Sequence, residues 1–272
     1  MSAAKTAIDL TLGLGGHAEA LLAAGVERVI GLDRDRDALS VAADRLAPYG
    51  GRVRFVEGRF SDLDRIAREA GLPAVDAALY DLGVSSMHLD RPERGFSYRT
   101  EGPLDMRMGP EGPTARDVVN AYPVEELARV IRDYGEERFA RRIAAAIVRA
   151  RARTPLETTT ELAAVVASAV PKRRGGPHPA RRTFQAIRIE VNRELEELAA
   201  SLPQAVQLLA PGGRLVAISY HSLEDRIVKR FVAGEHRLRP LTKKPVQPGS
   251  AEVTRNPRAR GAKLRAAERV AA

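Results

Sequence analysis

The sequence predicts an α/β protein: a Rossmann-like domain with a mainly parallel sheet, interrupted by an inserted helical domain. Before residue 82, short apolar segments that favour β-strands alternate with amphipathic helical segments, and this alternation is typical of a parallel sheet. From about residue 114 to residue 202, apolar residues recur at three- and four-residue spacing, and strand-like patterns return only at residue 214. We therefore expect residues 1–94 and 191–272 to form the Rossmann-like domain and residues 95–190 to form the insertion.

The first predicted strand begins at Ala7, ends in the carboxylate of Asp9 and leads into a glycine-rich turn. Gly13, Gly15 and Gly16 lie in this turn, and a helix-forming run follows them. Glycine tolerates positive φ and has no Cβ to keep a ligand away from the backbone. The order of strand, glycine turn and helix is typical of nucleotide-binding α/β domains, although a plain strand-to-helix connection can have the same composition.

The second predicted strand, at residues 26–32, is followed by an acidic residue. Asp33 comes 20 residues after Gly13, which is close to the separation at which an acidic side chain binds a ribose hydroxyl in such folds. The turn lacks the third glycine of the dinucleotide fingerprint, which serves a pyrophosphate. A ligand with a ribose but no phosphates, such as S-adenosylmethionine, therefore fits the pattern better. The alternative is that Asp33 only caps a helix that begins near Arg36.

Two more units of helix and strand follow with the same spacing. We predict helices at residues 37–46 and 62–70 and strands at residues 52–56 and 75–80. Ser61 is placed to cap the second of these helices, because a serine hydroxyl can accept a hydrogen bond from the first turn.

Four side chains lie at or just beyond the carboxyl ends of the predicted strands, namely Asp9, Asp33, Phe60 and Asp81. Ligands of open parallel sheets bind at this edge, so we expect these side chains to line a binding site. Phe60 would either stack on an adenine ring or pack into the core.

A long segment rich in glycine and proline, residues 82–113, shows no clear period and is predicted to be a functional loop. Helical spacing then dominates the insertion, and we predict helices at residues 123–133, 136–151, 159–170 and 181–202. The long loop and residues 171–177 would link the insertion to the sheet domain.

The sheet is predicted to resume with a strand at residues 214–219, after a turn at residues 210–213. Ser222 and Asp225 have the spacing of a capping box for the next helix. The tail contains a β-compatible run at residues 263–267, so it would supply the last strands of the sheet or a mobile arm that grips RNA.

Charge is segregated along the chain of 272 residues, whose net charge is +9. Residues 1–137 carry a net charge of −7, residues 138–193 of +10 and residues 235–272 of +7. Basic segments beside an acidic core are expected of a protein whose accessory parts bind a polyphosphate backbone. The alternative is an ordinary solvated helix face.

The chain contains no cysteine, and its apolar runs are too short to span a bilayer. A thiolate nucleophile and a cysteine zinc site are thereby excluded, and we predict no metal site. Without a disulfide framework or a visible secretory signal, a cytoplasmic protein is the simplest expectation. The oligomeric state stays open.

Several motifs resemble the bacterial ribosomal RNA small-subunit methyltransferase H family, from about residue 7 to the C-terminus. They are LGLGGH (12–17), GLDRD (31–35), DLGVSS (81–86), RGFS (94–97), GPLDMRM (102–108), YGEERFA (134–140), RTFQA (182–186), HSLEDR (221–226) and NPRAR (256–260). The resemblance implies an S-adenosylmethionine-dependent methyltransferase domain that methylates the exocyclic amine of a cytidine in 16S rRNA, at the ribosomal decoding centre. It also implies that the helical insertion helps to recognise this substrate.

Carried over to matching positions, the family's cofactor contacts are Gly15, Gly16, His17, Asp33, Phe60 and Asp81. His88 lies where the family usually has a further contact, a glutamine, and we include it as a cofactor-binding residue. Histidine can still donate a hydrogen bond, but its charge varies near neutral pH.

Methyl transfer to an exocyclic amine is a direct in-line displacement, in which the protein should accept hydrogen bonds from the amine. Asp81 is the best-placed carboxylate, although the resemblance makes it a cofactor contact, so its catalytic assignment stays open. Further candidates near the cleft are Ser85, Ser86, Asp105 and His221. Their alternative roles are hydrogen bonding within loops and, for His221, stabilising the start of a helix.

The chain begins only a few residues before its first strand, whereas members of this family usually carry a segment there. We therefore expect part of the cleft wall or an RNA contact to be missing; the alternative is a mis-assigned start codon. Together with His88, this motivates an alternative function: a catalytically weak or inactive nucleic-acid-binding regulator on the same scaffold. A DNA amino-methyltransferase is a weaker alternative, because DLGVSS at residues 81–86 departs from the Asp/Asn-Pro-Pro-aromatic motif of such enzymes.

Overall fold

The computed structural model describes residues 4–69, 71–72, 74–171 and 176–271, so residues 172–175 of the predicted linker lie outside the described residues. The chain divides into two compact units. The first comprises Met1–Gly83 and Leu195–Ala272, and the second comprises Val84–Glu194. The assignment of residues 95–190 as a substrate-recognition domain stays a prediction.

The first unit is built on a seven-stranded sheet, which confirms the predicted α/β class. In chain order the strands are β1 (Thr6–Asp9), β2 (Arg28–Asp33), β3 (Val53–Glu57), β4 (Val75–Asp81), β5 (Leu209–Ser219), β6 (Leu238–Pro240) and β7 (Lys263–Arg269). Their spatial order is β3-β2-β1-β4-β5-β7-β6. The first five strands pair in parallel, and β7 runs antiparallel to both of its neighbours. The run predicted at residues 263–267 therefore supplies a sheet strand.

The helices of the described chain are numbered in chain order. They are α1 (Gly16–Ala23), α2 (Arg36–Leu46), α3 (Leu63–Glu69), α4 (Ser86–Asp90), α5 (Ala115–Ala121), α6 (Val124–Gly135), α7 (Ala140–Arg151), α8 (Thr159–Ala169), α9 (Arg181–Asn192), α10 (Glu194–Leu208), α11 (Ser222–Gly234) and α12 (Ser250–Arg255).

Apolar residues cover both faces of the sheet. Successive side chains of a strand point to opposite faces, so neighbours in sequence join different cores. Ala7 and Val29 pack into a cluster with residues of α1 and α2. Ile8 and Ile30 pack into a second cluster with residues of α3, α10 and α11. The sheet is therefore buried on both sides, as in doubly wound α/β folds.

The second unit is helical and has a hydrophobic core of its own. Fully buried residues of α5 to α9 form this core, for example Val118, Ile131, Ile147, Val166 and Ile187. Thr114 and Thr158 each begin a helix with a capping box, in which their hydroxyl groups accept backbone N–H groups of the first turn.

Left-handed residues set two helix boundaries that the spacing of apolar residues did not predict. Glu136, with a φ of 47°, ends α6, so the helix predicted from residue 136 begins only at Ala140. The helix predicted at residues 181–202 is two helices, because Arg193 has a φ of 52° between α9 and α10.

Hydrogen bonds between Asn192 and residues distant in sequence stabilise the break between α9 and α10. The buried Asn192 side chain accepts a hydrogen bond from the Met108 N–H at 2.8 Å and donates one to the Met106 carbonyl at 2.7 Å. These partners lie 84 and 86 positions earlier in the chain, so no local pattern could reveal the break.

The turn predicted at residues 210–213 lies inside β5. β4 and β5 pair at Val75 with Leu209 and again at Ala77 with Arg214, so the intervening part of β5 forms a bulge. Proline and glycine are tolerated at bulges because the extra residues leave the ladder of hydrogen bonds.

The segment predicted as an irregular loop at residues 82–113 contains α4 and a 3-10 turn at Pro92–Arg94. Two glycines allow its backbone to pack closely on itself. A Cβ on Gly102 would lie 1.9 Å from the Pro92 carbonyl oxygen, and a Cβ on Gly95 would lie 2.0 Å from that of Pro103.

Ser61 does not cap α3 as predicted. Residues Phe60–Asp62 form a 3-10 turn that continues into α3. The side chain of Gln204 on α10 accepts a hydrogen bond from the Asp64 N–H at 2.8 Å and donates one to the Ser61 carbonyl at 2.6 Å. A side chain from another helix therefore satisfies the backbone groups at the start of α3.

Candidate active site

The candidate site lies at the carboxyl ends of β2, β1 and β4. β1 is the strand at which the order of the sheet reverses, since β2 and β3 lie on one side of it and β4 and β5 on the other. Ligands of open α/β sheets bind at such a switch point. Asp9, Asp33 and Asp81 are the last residues of these three strands, so each carboxylate lies at this edge.

The glycine turn is tied to Asp33. Gly13 and Gly15 have positive φ values of 52° and 78°, and the Gly13 N–H donates a hydrogen bond to Asp33 Oδ2 at 2.8 Å. Asp33 Oδ1 accepts the Asp35 N–H at 2.9 Å, whereas Asp35 is the residue that caps α2. The alternative role of Asp33 as the helix cap therefore belongs to Asp35. Binding of a ribose hydroxyl by Asp33 stays a prediction.

Gly15 requires glycine for two reasons. Its φ of 78° is unfavourable for other residues, and a Cβ would lie 3.1 Å from Leu46 Cδ1 and 3.3 Å from the Cβ of Ala42. Gly16 begins α1, where a Cβ would lie 3.2 Å from Nη1 of Arg45. The turn therefore packs directly against α2.

Asp81 receives hydrogen bonds from both sides. His17 Nε2 lies 3.1 Å from Asp81 Oδ2, and the Tyr220 hydroxyl donates to Asp81 Oδ1 at 2.9 Å. The Asp81 N–H donates to Thr11 Oγ1 at 2.6 Å. The hydrogen bond to Asp81 raises the pKa of His17, although partial burial opposes this. Burial raises the pKa of the Tyr220 hydroxyl, and the charge of Asp81 adds to the shift.

Asp9 is fully buried, and one of its oxygen atoms has no partner. Asp9 Oδ1 accepts the Thr11 N–H at 3.1 Å, while Oδ2 makes no hydrogen bond within the described part of the chain. Burial raises the pKa of Asp9 to about 7, even though the Thr11 hydrogen bond and the nearby His17 oppose the shift. A buried acceptor without a partner is unfavourable, and it suits a site in which a ligand supplies a donor.

Phe60 packs at least partly into the core. Its ring makes an edge-to-face contact with Tyr80 at 5.9 Å between centroids, and the side chain remains half-buried. Core packing is therefore observed, and stacking on a ligand stays a prediction.

His88 lies in the second unit, where it closes the capping box of α4. Its Nδ1 accepts a hydrogen bond from the Ser85 N–H at 3.1 Å, and its own N–H donates to Ser85 Oγ at 3.4 Å. The ring is buried and lies 4.8 Å from that of Phe96. Both His88 and Ser85 thus have a structural role, and a cofactor contact of His88 stays a prediction.

Asp105 is occupied by Arg107. The guanidinium group donates to Asp105 at 2.7 and 2.9 Å, and the Arg107 N–H donates at 2.9 Å. Burial would raise the pKa of Asp105, but the Arg107 hydrogen bonds outweigh it and hold the pKa below its usual range. Asp105 therefore forms a structural ion pair with Arg107 within the second unit.

His221 stabilises the start of α11, which was its alternative role. Its Nδ1 accepts the Glu224 N–H at 3.4 Å, and Glu224 Oε2 accepts the His221 N–H at 3.2 Å. The capping box is therefore formed by His221 and Glu224, and the prediction that Ser222 and Asp225 form it was wrong by one residue. Asp225 instead binds Arg265 of β7 at 2.7 Å.

Tyr220 and Thr11, which both bind Asp81, were not predicted from the sequence. Tyr220 directly follows β5, the neighbour of β4, so its position just beyond a strand end was an available signal. Thr11 follows β1 by two residues and carried no comparable signal, because its contact with Asp81 spans 70 positions.

Among the described residues, no group of three or more histidine and acidic side chains is arranged to hold a metal ion. No helix in the described part of the chain is long and apolar enough to cross a membrane.

Comparisons with known proteins agree over almost the whole chain. Residues 2–270 match the MraW methylase family. Three proteins named ribosomal RNA small subunit methyltransferase H are similar to the chain. The protein of Acidiphilium cryptum is 51% identical and covers 97% of this chain and 91% of its own. That of Acidothermus cellulolyticus is 53% identical, with coverages of 97% and 86%, and that of Deinococcus deserti is 53% identical, with coverages of 98% and 87%.

Similarity to solved structures is weaker. The chain resembles an rRNA methylase from Streptococcus thermophilus with a TM-score of 0.47 and 13% identity, covering all of this chain and 90% of the other. A likeness at this level does not bear on the activity of the chain.

Proposed function

The chain belongs to the MraW methylase family, and on that premise we propose that it transfers a methyl group from S-adenosylmethionine to the exocyclic N4 amine of a cytidine in 16S rRNA. The target would lie at the decoding centre of the small ribosomal subunit, and the reaction would take place in the cytoplasm. The observation that carries the proposal is the arrangement at the switch point, where Asp33 is bonded to the glycine turn and Asp81 is held between His17 and Tyr220.

The residues at this edge suit S-adenosylmethionine, which supplies an electrophilic methyl group on its sulfonium. Asp33 would bind the ribose hydroxyls, and Gly16, which is exposed at the start of α1, has no side chain to keep a ligand from the turn. His17 and Asp81 are further proposed contacts, and a cofactor contact of His88 stays a prediction. The fit has an observable basis in Asp9, whose buried Oδ2 lacks a donor within the described chain. Phe60 would stack on the adenine ring. Its side chain is only half-buried beside Tyr80, so part of it remains exposed.

Asp81 is also our candidate for the residue that activates the substrate. The lone pair of an exocyclic amine is delocalised into the ring, and acceptors for its N–H groups localise that pair. Each Asp81 oxygen has one donor, so each retains an acceptor position. Because His17 and Tyr220 fix the carboxylate, it can hold an amine in one orientation. Holding a nucleophile and a methyl group in line contributes up to ~7–11 kcal/mol to lowering the barrier.

We assign RNA recognition to the second unit. This part of the chain contains the most basic segment, residues 138–193 with a net charge of +10, whereas residues 1–137 carry −7. Contacts with the RNA backbone would offset the few kcal/mol that it costs to take a base out of its stack.

The test is methyl transfer from labelled S-adenosylmethionine to small-subunit particles that lack the modification. We expect label in N4-methylcytidine with the wild type. Asp33→Ala and Asp81→Ala should each lose most of it, because loss of a hydrogen bond to a charged group costs about 1.5–3 kcal/mol, roughly a 10- to 100-fold effect. Asp44→Ala removes an exposed carboxylate on α2 and is the matched control, with activity close to that of the wild type.

Three results would contradict the proposal. Label in another nucleoside would contradict the assigned target. Folded wild-type protein without saturable binding of S-adenosylmethionine would favour the alternative of a nucleic-acid-binding regulator. Methylation of duplex DNA but not of small-subunit particles would favour a DNA amino-methyltransferase.

A further inference from the structure

Helix α7 and its flanks carry an unusual run of positive charge. Six arginines lie between residues 138 and 153, and residues 138–156 contain no acidic residue. The apolar side of the helix, including Ile143 and Ile147, is fully buried in the core of the second unit. Arginines on the other side therefore face solvent.

Five of these arginines are exposed, and the structure gives them no carboxylate partner. They are Arg138, Arg141, Arg142, Arg149 and Arg153. Within the described ranges of the chain, none of the five lies within ion-pair distance of an acidic side chain; Arg138 contacts only the ring of Phe139, at 4.5 Å. Arg142 and Arg149 are two helical turns apart, so they project from one face, roughly 10 Å from each other along the axis. We call these five residues the α7 arginine face.

Other arginines of the same unit have internal partners. Arg116 binds Glu157 at 2.6 Å, and Arg188 binds Glu194 at 2.7 Å. Arg151, on the same helix, donates to the Val119 and Tyr122 carbonyls at 2.6 Å each. The positive charge of residues 138–193 is thus partly used within the fold. The α7 arginine face is the part of it, within α7 and its flanks, whose described side chains form no ion pair.

We propose that the α7 arginine face binds the phosphodiester backbone of the RNA substrate. The inference rests on the proposed function and identifies the surface of the second unit that binds the RNA. Guanidinium groups match phosphate oxygens with paired hydrogen bonds, and a surface of one sign attracts a polyanion. The fold itself does not require these charges, because like charges on one helix face repel one another and these side chains make no ion pair within the described chain. Contacts of this kind position the RNA without reading its sequence.

The test compares two triple variants that change net charge equally. Arg141→Gln, Arg142→Gln and Arg149→Gln remove charge from the α7 arginine face. Arg65→Gln, Arg116→Gln and Arg132→Gln remove three exposed arginines that are paired with acidic residues. Binding of transcribed 16S rRNA is measured as a function of salt concentration, alongside binding of S-adenosylmethionine and circular dichroism.

We expect the first triple variant to bind RNA at least 10-fold more weakly at low salt. The negative slope of log affinity against log salt should become shallower by about 2. Each lost phosphate contact reduces the magnitude of this slope by ~0.7–0.9. The control variant should keep the slope of the wild type, and both should bind S-adenosylmethionine normally. Replacing the same three residues of the α7 arginine face by lysine should also preserve the slope, since the charge remains.

Equal slopes in the two triple variants would overturn the inference. So would equal competition by poly-glutamate and RNA at the same charge concentration, because the face would then attract any polyanion. Failure of the proposed function is a separate result. If the wild type binds RNA through this face but leaves cytidine unmethylated, the inference stands and the proposed reaction fails.

Discussion

At the residue scale, three carboxylates at one edge of the sheet have different surroundings. Asp33 accepts backbone N–H groups from Gly13 and Asp35, and Asp81 is held by His17 and Tyr220. Asp9 alone is fully buried with an oxygen that has no partner in the described chain. Burial without enough donors favours the neutral form of a carboxyl group, which is why the pKa of Asp9 rises to about 7.

The raised pKa of Asp9 predicts how stability depends on pH. The unfolded chain releases this proton near pH 4, while the folded protein keeps it until about pH 7, so wild-type stability is lost across that window. Asp9→Asn cannot ionise and lacks this loss. Relative to the wild type, it should gain on the order of 2–4 kcal/mol between pH 4 and pH 8, because one pKa unit corresponds to about 1.4 kcal/mol.

Urea unfolding of the two proteins at several pH values measures this difference. Asp44→Asn on the exposed side of α2 is the control, and its difference from the wild type should stay constant. A difference between Asp9→Asn and the wild type that is also flat from pH 4 to pH 8 would contradict the assigned pKa.

At the element scale, the turn between β1 and α1 depends on how closely it packs on α2. Its positive φ values could be expected from the glycines themselves, because glycine is the residue that adopts them readily. The close approach of Gly15 to Leu46 and Ala42 could not be predicted from the sequence, because it depends on where α2 lies. The glycine therefore serves both backbone geometry and packing.

Gly15→Ala should destabilise the protein more than Gly25→Ala. Both positions have positive φ, 78° and 98°, and strain of this kind costs about 1–3 kcal/mol for a residue other than glycine. Only at Gly15 would the new Cβ crowd neighbouring atoms, because none lies within 4 Å at Gly25. Gly15→Ala should also weaken binding of S-adenosylmethionine.

Thermal unfolding and titration with S-adenosylmethionine check this comparison. If the two variants lose equal stability and bind the ligand equally well, packing of the turn on α2 has no energetic role.

At the scale of the whole molecule, the chain forms two units with separate hydrophobic cores. The core of the second unit draws its residues from positions 96–191, all inside Val84–Glu194. The cores on the two faces of the sheet draw theirs from the first unit. The second unit is also continuous in sequence, and the described residues of its core all belong to this one segment.

Residues 84–194, expressed alone, should fold. A chain of this length with its own buried core exceeds the size below which domains usually need a metal or disulfides. We expect a helical circular dichroism spectrum and one cooperative unfolding transition in urea. Replacing Ile147, which is fully buried, by alanine should destabilise the fragment by about 2–5 kcal/mol.

The control is Ala152→Ser in the same fragment. Because Ala152 is exposed, this substitution should have little effect on stability. A fragment with helical content but no cooperative transition would show that the second unit needs the first for its packing.

The sequence by itself determined the alternation of strands and helices up to residue 81, the glycine turn and the acidic residues at the strand ends. These features follow from local periodicity and from residues next to one another in the chain, and local chemistry is enough to fix them. It also determined the family, because many ordered motifs and the match over residues 2–270 agree.

Only the tertiary structure decided which groups meet. Tyr220 reaches Asp81 across 139 positions, Gln204 caps α3 across 140, and Asn192 at the end of α9 binds Met108, which lies 84 positions earlier. It also decided which basic residues remain available, since Arg151 is bonded to two carbonyls while Arg149 is exposed on the same helix. The physical reason is that burial and hydrogen bonding depend on contacts between distant segments, which no local pattern contains.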